Sequence, residues 1–170
     1  MRNRALAISL GMAVAFTGLS ATTANAYRNA DITISSWQPD TGSCPCSDSS
    51  GLDYTSFKKD AGGKGMKLVV KKNGTPVAQM EFHPYDEVLY AYDGKNDGDT
   101  IYFRAMWYEG IFKKEATYWA PGTSKVLDVN KVQMAKDDDI EEGTTVHFRV
   151  FDDKALKDPL TPWYRYNARA

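Results

Sequence analysis

The stretch MKLVVKKNGTPVAQMEF, residues 66–82, decides the fold of this chain. Asn73-Gly74 is the strongest short-range signal for a two-residue β-hairpin turn, and runs of strand-forming residues flank it on both sides. Counting outward from that turn places Met66, Leu68, Val70 and Val77 on one face of the hairpin and Val69, Ala78, Met80 and Phe82 on the other. Both faces are largely apolar, which predicts a strand pair that is covered on each side or contacts a partner.

Further segments of the same kind follow the hairpin. They are EVLYAY (87–92), TIYFRAMWY (100–108), IFKKEATYWA (111–120), KVLDV (125–129), TTVHFRVFDD (144–153) and WYRYN (163–167). Turn-forming sequence rich in Gly, Pro and Asp separates them. Seven or eight short strands at this spacing predict an all-β protein, with residues 66–170 forming an antiparallel β-sandwich domain.

The first 26 residues have the organisation of a secretory signal peptide. Arg2 and Arg4 supply a positive start, residues 5–19 an apolar stretch, and Ala24 and Ala26 the small residues of a cleavage site. The apolar stretch is short for a bilayer span. Cleavage after Ala26 would leave a secreted, extracellular protein without a membrane partner.

Composition and motifs argue against several classes of function. The formal net charge is −1, whereas nucleic-acid binding needs a concentrated basic face, so we expect no nucleic-acid partner. Neither histidine, His83 or His147, lies in a G-x-S-x-G or H-E-x-x-H motif. Neighbouring acids such as Asp152 and Asp153 point to opposite faces of a strand and make no acid–base pair. We therefore expect no enzymatic activity, no catalytic residue and no cofactor.

The segment from residue 27 to residue 65 differs from the rest of the chain. ADITISSW, residues 30–37, can form one short strand, and sequence rich in Ser, Gly, Asp and Lys follows it. This pattern predicts an N-terminal extended arm on a tether. The alternative is that the arm is the first strand of the sandwich itself.

Both cysteines lie in this tether, at Cys44 and Cys46 of TGSCPCSDSSG, residues 41–51. An exported chain reaches an oxidising compartment, so free thiols are not expected. The pair can close a disulfide on itself, bond to cysteines of a partner chain, or bind a metal, and the lack of a histidine nearby disfavours the metal. We predict a disulfide and leave its partner open. A ring as small as Cys44–Cys46 would stiffen one turn without linking distant parts of the fold.

Asp93, Asp97 and Asp99 are a weak calcium candidate. They lie in DGKNDGD, residues 93–99, and calcium prefers oxygen-rich loops of this kind. However, Lys95 stands where an EF-hand loop has its second oxygen ligand, and no Glu closes the loop. We therefore expect no metal in the protein, with this loop as the place where calcium would bind if it did.

The four tryptophans are candidates for stacking on sugar rings. Trp107 and Trp119 lie in apolar alternation and are expected in the core. Trp37 and Trp163 lie in the less regular ends of the chain and are expected at the surface.

Three stretches together resemble a known group of proteins. They are YAYDGKNDGDTIYFRAMWY (90–108), YWAPGTSKVLDVN (118–130) and EEGTTVHFRVFDD (141–153). An Asp-x-x-x-Asp-Gly turn before a long strand, with a late EGTTV-F-V strand, is similar to small exported β-proteins of actinomycetes. Among them are the adaptor subunits of umbrella toxin particles, which are secreted assemblies that inhibit competing bacteria.

The resemblance implies a non-catalytic connector. Its N-terminal arm would engage a lectin-like subunit by strand addition, with Ile32, Ile34 and Trp37 as the binding residues. Its β-domain would bind the large central toxin subunit. We therefore expect a secreted adaptor whose partners are other secreted protein subunits of an extracellular antibacterial toxin complex. The alternative is a stand-alone secreted module that binds carbohydrate or a peptidase.

Overall fold

The computed structural model describes residues 27–123, 126–134 and 140–170. The predicted signal peptide, residues 1–26, lies outside the described residues. The strands are β1 (Ile32–Trp37), β2 (Cys46–Asp48), β3 (Thr55–Phe57), β4 (Met66–Lys72), β5 (Thr75–His83), β6 (Val88–Asp93), β7 (Tyr102–Glu109), β8 (Phe112–Tyr118), β9 (Asp128–Gln133), β10 (Thr145–Phe151) and β11 (Tyr166–Arg169). Short 3-10 helices cover Asn29–Asp31, Thr41–Ser43 and Tyr85–Glu87. None of the described helices is long and apolar enough to cross a membrane.

The strands form an antiparallel β-sandwich, as the sequence predicts. One sheet has the order β1-β4-β5-β6-β9, the other has the order β11-β10-β7-β8, and β2 pairs with β3 in a small third sheet. The inner faces of the two large sheets make the core, where the ring centroids of Phe82 and Phe148 lie 5.7 Å apart. The prediction of an all-β sandwich is confirmed, although the described residues contain more strands than predicted. The additional strands include β2 and β3, whose polar sequences carry no alternating apolar signal.

The predicted β4–β5 hairpin is present, with Asn73 and Gly74 both at positive φ (49° and 82°). Positive φ at both central residues is what a tight hairpin turn requires. The predicted faces of β5 are wrong, however, because Val70 pairs with Ala78 while Lys71 pairs with Pro76.

Val77 is therefore an extra residue in β5, which makes a β-bulge and shifts the alternation by one position. Pro76 suits this place, since it has no N–H to donate to the ladder. As a result, the core face of the hairpin carries Met66, Leu68, Val70, Ala78, Met80 and Phe82, all with at most 1 % of their surface exposed.

The predicted arm is the edge strand of the larger sheet. All six residues of β1 pair with β4, from Ile32 opposite Lys72 to Trp37 opposite Lys67. Ile32 and Ile34 are half-buried and pack against the core. The structure thus differs from a free arm and agrees with the alternative of a first sandwich strand. The physical reason is that pairing satisfies the backbone of β4 while it removes two isoleucines from water.

Residues 38–65 pack on the sandwich. Residues 46–57 cover the outer face of the five-stranded sheet, and Lys64 pairs with Arg169 of β11. Phe57 on β3 is only 1 % exposed. Its ring centroid lies 4.4 Å from that of His83 and 5.4 Å from that of Trp37. Gly65 passes so close that a Cβ there would lie 2.8 Å from the Phe57 ring. The glycines that suggested a loose linker therefore allow this segment to pack closely.

Buried polar groups connect this covering segment to the sheet. Lys67 is 1 % exposed, and its ammonium lies 3.1 Å from the Asp48 carboxylate. Glu81, the neighbour of Lys67 across the ladder, accepts hydrogen bonds from Gln79 (2.6 Å) and from the Thr55 hydroxyl. Buried charges are tolerated only when they are paired and hydrogen-bonded. The outer face of the sheet therefore depends on residues 38–65 as much as the inner face depends on the second sheet.

The sulfur atoms of Cys44 and Cys46 are at bonding distance, so the structure joins the two cysteines to each other. Of the three fates left open by the sequence, this is the ring within one chain. Cys44 is 3 % exposed, and Cys46 is the first residue of β2. The disulfide therefore lies at the base of the β2–β3 hairpin that covers the sheet.

Replacing Phe57 by Ala should lower the free energy of unfolding by about 3–5 kcal/mol, because the change empties a fully buried site. The matched control is Tyr54→Ala, in the same segment, because Tyr54 is 63 % exposed and its loss should change stability by less than about 0.5 kcal/mol. Denaturant unfolding of both variants measures the difference. Two equally small effects would show that residues 38–65 do not contribute to the folded core.

Candidate functional site

β1 leaves one edge of the larger sheet open, since none of the described strands pairs with its outer side. The N–H of Asn73 donates to the carbonyl of Asp31 at 2.9 Å, which fixes the alternation of the ladder. By that alternation the backbone groups of Ile32, Ile34 and Ser36 point outward. The N–H of Ile32 donates to the preceding 3-10 turn, so the outward amides of Ile34 and Ser36 are available to another strand.

This edge also lacks the charges that usually protect an exposed strand. Charged residues on edge strands discourage pairing with other chains. The other outer strands of the two large sheets carry them: Lys113, Lys114 and Glu115 on β8, Asp128 and Lys131 on β9, and Arg169 on β11. The sequence of β1, ITISSW, has none. β1 is therefore the outer strand best suited to pair with a further strand.

A groove of about 350 Å³ runs beside β1, and we call it the β1 groove. Its walls are Asn29, Ile32, Thr33 and Ile34 on one side and Pro159, Leu160, Thr161, Arg165 and Tyr166 on the other. Its lining combines apolar side chains with hydroxyl, amide and guanidinium groups. Such a lining can accept alternate side chains of an extended peptide whose backbone pairs with β1.

The structure brings together two of the three predicted partner-binding residues and separates the third. Ile32 and Ile34 both line the β1 groove. Trp37 is half-buried, packs on Phe57 and lines a different hollow with Ser35 and neighbouring residues on the outer face of the sheet. Trp37 therefore belongs to the packing of residues 38–65 onto the sheet, at the far end of β1 from the groove.

A second surface, which the sequence prediction did not identify, lies at the turn between β7 and β8. Tyr108, Ile111 and Phe112 are 49 %, 88 % and 68 % exposed, and we call them the β7–β8 tip. Just below the tip, Lys114 and Glu109 form an ion pair at 2.8 Å. By the register of the hairpin, Tyr108 shares one face with Lys113 and Phe112 shares the other face with Glu109. The tip therefore presents exposed apolar side chains on both faces, and side chains of this kind are typical of a protein contact. The sequence signal that could have predicted this surface is the apolar Ile111 directly after the turn glycine, Gly110.

Comparison with known protein families, with curated proteins and with solved structures finds no match. The resemblance to adaptor subunits of umbrella toxin particles therefore stays a prediction. The basis for a function is the geometry of the β1 groove and of the β7–β8 tip, together with the chemistry that the remaining polar residues can perform.

The two histidines lie on different sheets and have different surroundings. His83 contacts the Glu81 carboxylate at 3.0 Å, and its ring packs on Phe57. His147 has a buried Nδ1 without a hydrogen-bond partner, and burial lowers the pKa of its imidazole. The ring of Tyr164 meets it edge-on at 4.8 Å. The structure therefore brings the two imidazoles into no common site.

The loop of the calcium candidate lies at the end of the sandwich where β6 leads into β7. Asp93 accepts the N–H of Lys95 at 2.9 Å, and Asp97 accepts the Tyr27 hydroxyl at 2.9 Å and the N–H of Asp99 at 3.2 Å. In the part of the chain that the structure describes, no three His, Cys, Asp or Glu side chains are arranged to hold a metal ion. The carboxylates of Asp93 and Asp97 therefore accept hydrogen bonds from the protein itself.

The tryptophans divide differently from the sequence prediction. Trp107 is 6 % exposed, as expected of a core residue, but Trp119 is 42 % exposed. The prediction for Trp119 is wrong because β8 ends at Tyr118, so the strand alternation does not extend to the next residue. Trp37 and Trp163, expected at the surface, are both half-buried.

Asp93→Asn should stabilise the protein at alkaline pH and leave it unchanged near pH 4. Burial raises the pKa of Asp93 from 3.8 to about 6, so ionisation opposes folding, and stability is lost as the pH rises through 6. The amide keeps the acceptor for Lys95 without the charge. We expect a gain of about 1–3 kcal/mol at pH 8 in unfolding experiments. The control is Asp86→Asn, at an exposed carboxyl, and it should leave the free energy of unfolding unchanged at both pH values. An Asp93→Asn variant as stable as the wild type at pH 8 would contradict the burial argument.

Proposed function

We propose that this protein is a secreted, non-catalytic adaptor that joins other secreted protein subunits in an extracellular antibacterial toxin complex. The observation that carries the proposal is the open, uncharged edge of β1 beside the β1 groove. The specific identification with toxin particles rests on the sequence resemblance. The capacity to bind another chain rests on the geometry of this edge.

The occupant of the β1 groove is an extended segment of a partner subunit. The outward amides of Ile34 and Ser36 supply backbone hydrogen bonds of the kind that give strand addition its affinity. Specificity comes from the groove, where Leu160 and Tyr166 face the isoleucines of β1 and Arg165 supplies a positive charge. Strand addition therefore remains part of the proposal, with one change. β1 belongs to the five-stranded sheet of this chain, and the partner supplies the added strand.

An adaptor needs a second surface, and the β7–β8 tip lies at the opposite end of the sandwich. β7 (Tyr102–Glu109) runs from the β6–β7 loop to the tip. β1 begins beside that same loop, because the hydroxyl of Tyr27, a residue shortly before β1, donates a hydrogen bond to Asp97 in the loop. The start of the β1 groove and the tip are therefore separated by the length of a strand. Two partners can bind at once without competing for one surface.

Ser36→Pro tests the role of the β1 edge. Proline removes an N–H that points away from β4, a change that edge strands tolerate, so the fold should be retained while one partner is lost. The matched control is Ser36→Ala, which keeps the N–H and should keep the partner. Size-exclusion chromatography and pull-down from culture supernatant measure both outcomes. Partner binding that survives Ser36→Pro would exclude strand addition at β1.

The double variant Ile111→Ser, Phe112→Ser tests the β7–β8 tip. Both side chains are exposed, so stability should change by less than about 0.5 kcal/mol each, while a second partner, different from the one lost in Ser36→Pro, should dissociate. Tyr85→Ser, at another exposed aromatic residue (44 %), is the control and should bind both partners. A wild-type protein that always runs as a free monomer would contradict the adaptor proposal. Glycan binding that is lost on Trp119→Ala would favour the carbohydrate-binding alternative.

A further inference from the structure

Asp152, the residue after β10, is a buried acid without a partner. It is 6 % exposed, and neither carboxylate oxygen has a hydrogen-bond partner of ordinary geometry. A buried, unpaired carboxylate is one of the most unfavourable groups that a fold can contain. A native structure that keeps one normally supplies a donor or a positive charge for it.

The surroundings of Asp152 increase its need for a donor or a positive charge. The charges that act on it most strongly are those of Asp99, Asp158 and Asp153, and all are negative. Burial is the main cause that raises the pKa of Asp152 to about 7, and these charges contribute to the same rise. The adjoining hollow of about 240 Å³ is lined also by Lys154, whose side chain is exposed. Among the residues that the structure describes at this end, Lys72 is half-buried and acts on Asp99, and no fully buried positive charge faces Asp152.

The group that faces the Asp152 carboxylate is the backbone N–H of Tyr27, which opposes part of the rise in its pKa. Tyr27 is held firmly at this position. Its side chain is 5 % exposed, its hydroxyl donates to Asp97 at 2.9 Å, and the Lys72 ammonium lies 4.0 Å from its ring centroid. The nitrogen of residue 27 is thus fixed beside the acid by contacts that do not depend on the residues before it.

The sequence places a predicted signal-peptide cleavage site at this same nitrogen. Hydrolysis of the bond between Ala26 and Tyr27 adds one water: the Ala26 carbonyl carbon gains the oxygen and leaves as a carboxylate, and the Tyr27 nitrogen becomes a primary amine that takes up a proton. We propose that the Asp152 carboxylate is the receptor for this α-ammonium group. The proposal rests on the export assumed in the proposed function, and it makes the buried ion pair a property of the processed chain alone.

An α-ammonium fits the site better than a metal ion does. It carries three N–H donors and one positive charge, and Asp152 offers two unpartnered oxygens. The described residues contain no three metal-ligating side chains arranged to enclose an ion. The pair would also fix the start of β1, because Tyr27 precedes the 3-10 turn that leads into that strand. Processing would thereby anchor more firmly the edge strand that the proposed function uses.

Two forms of the chain that differ by one residue test the proposal. One begins at Tyr27 and the other at Ala26, each released from a fusion that leaves no extra residue, so both carry an α-ammonium but only the first has it at Asp152. We expect the Tyr27 form to unfold roughly 5–10 °C higher at pH 7. Asp152→Asn should remove this difference. Asp153→Asn is the matched control and should leave it, since an amide oxygen can still accept the N–H groups of Lys157 and Asp158.

The pH dependence gives a second readout that simple packing would not produce. An α-amino group ordinarily titrates near pH 8, and the neighbouring carboxylate should raise that value in the folded Tyr27 form. A raised pKa of a basic group adds stability below its unfolded value, and that stability is lost as the pH rises through the folded value. The advantage of the Tyr27 form should therefore disappear at pH values well above 8, and only when Asp152 is present.

Three results would overturn the inference. The first is equal unfolding temperatures for the Tyr27 and Ala26 forms. The second is a rise on adding Ca²⁺ that is equal in both forms and absent in Asp152→Asn, because the acid would then serve a metal ion. The third is an exported protein whose mapped N-terminus is a residue other than Tyr27. That last result would leave the adaptor function to its own binding experiments, so the two proposals fail separately.

Discussion

Both faces of the β4–β5 hairpin have to be removed from water, and the rest of the structure depends on this constraint. The inner face is purely apolar and is covered by the second sheet. The outer face is mixed, with Lys67, Gln79 and Glu81 at its centre, each at most 2 % exposed. Apolar cover alone would leave these polar groups unsatisfied. A polar, glycine-rich segment is therefore the cover that fits, and residues 38–65 supply it.

This constraint also explains the position of β1. The covering segment begins directly after Trp37, whose ring packs on Phe57 within the cover. The chain must therefore enter the cover from the edge of the sheet, and β1 is the strand that brings it there. Since the segment then crosses over the outer face, it does not shield the outer edge of β1. The open edge that we assign to partner binding is thus a consequence of how the sheet is covered.

Much of the fold could be predicted from the sequence, and each error has a physical cause. The turn at Asn73-Gly74 and the sandwich follow from local signals, because turn chemistry and alternation act over a few residues. The bulge at Val77 inverts one strand, which no pattern of apolar residues reveals. The sequence predicts a tether for residues 38–65 because the burial of this segment depends on polar partners elsewhere in the chain. Of the candidate site, Ile32 and Ile34 could be predicted, whereas their groove could not, since its other wall lies more than 120 residues away in the chain.

The two ends of the sandwich differ in chemistry, and the difference bears on how an adaptor of this shape would assemble. The apolar β7–β8 tip is complete in the folded chain and needs no further group. The other end gathers Asp93, Asp99 and Asp152, and burial raises the pKa of each of these carboxyls. A positive charge at residue 27 would offset the negative charge at that end and anchor the start of β1 more firmly. Processing would then strengthen the end of the sandwich where the β1 groove begins, whereas the tip, a strand's length away, would be unaffected by it.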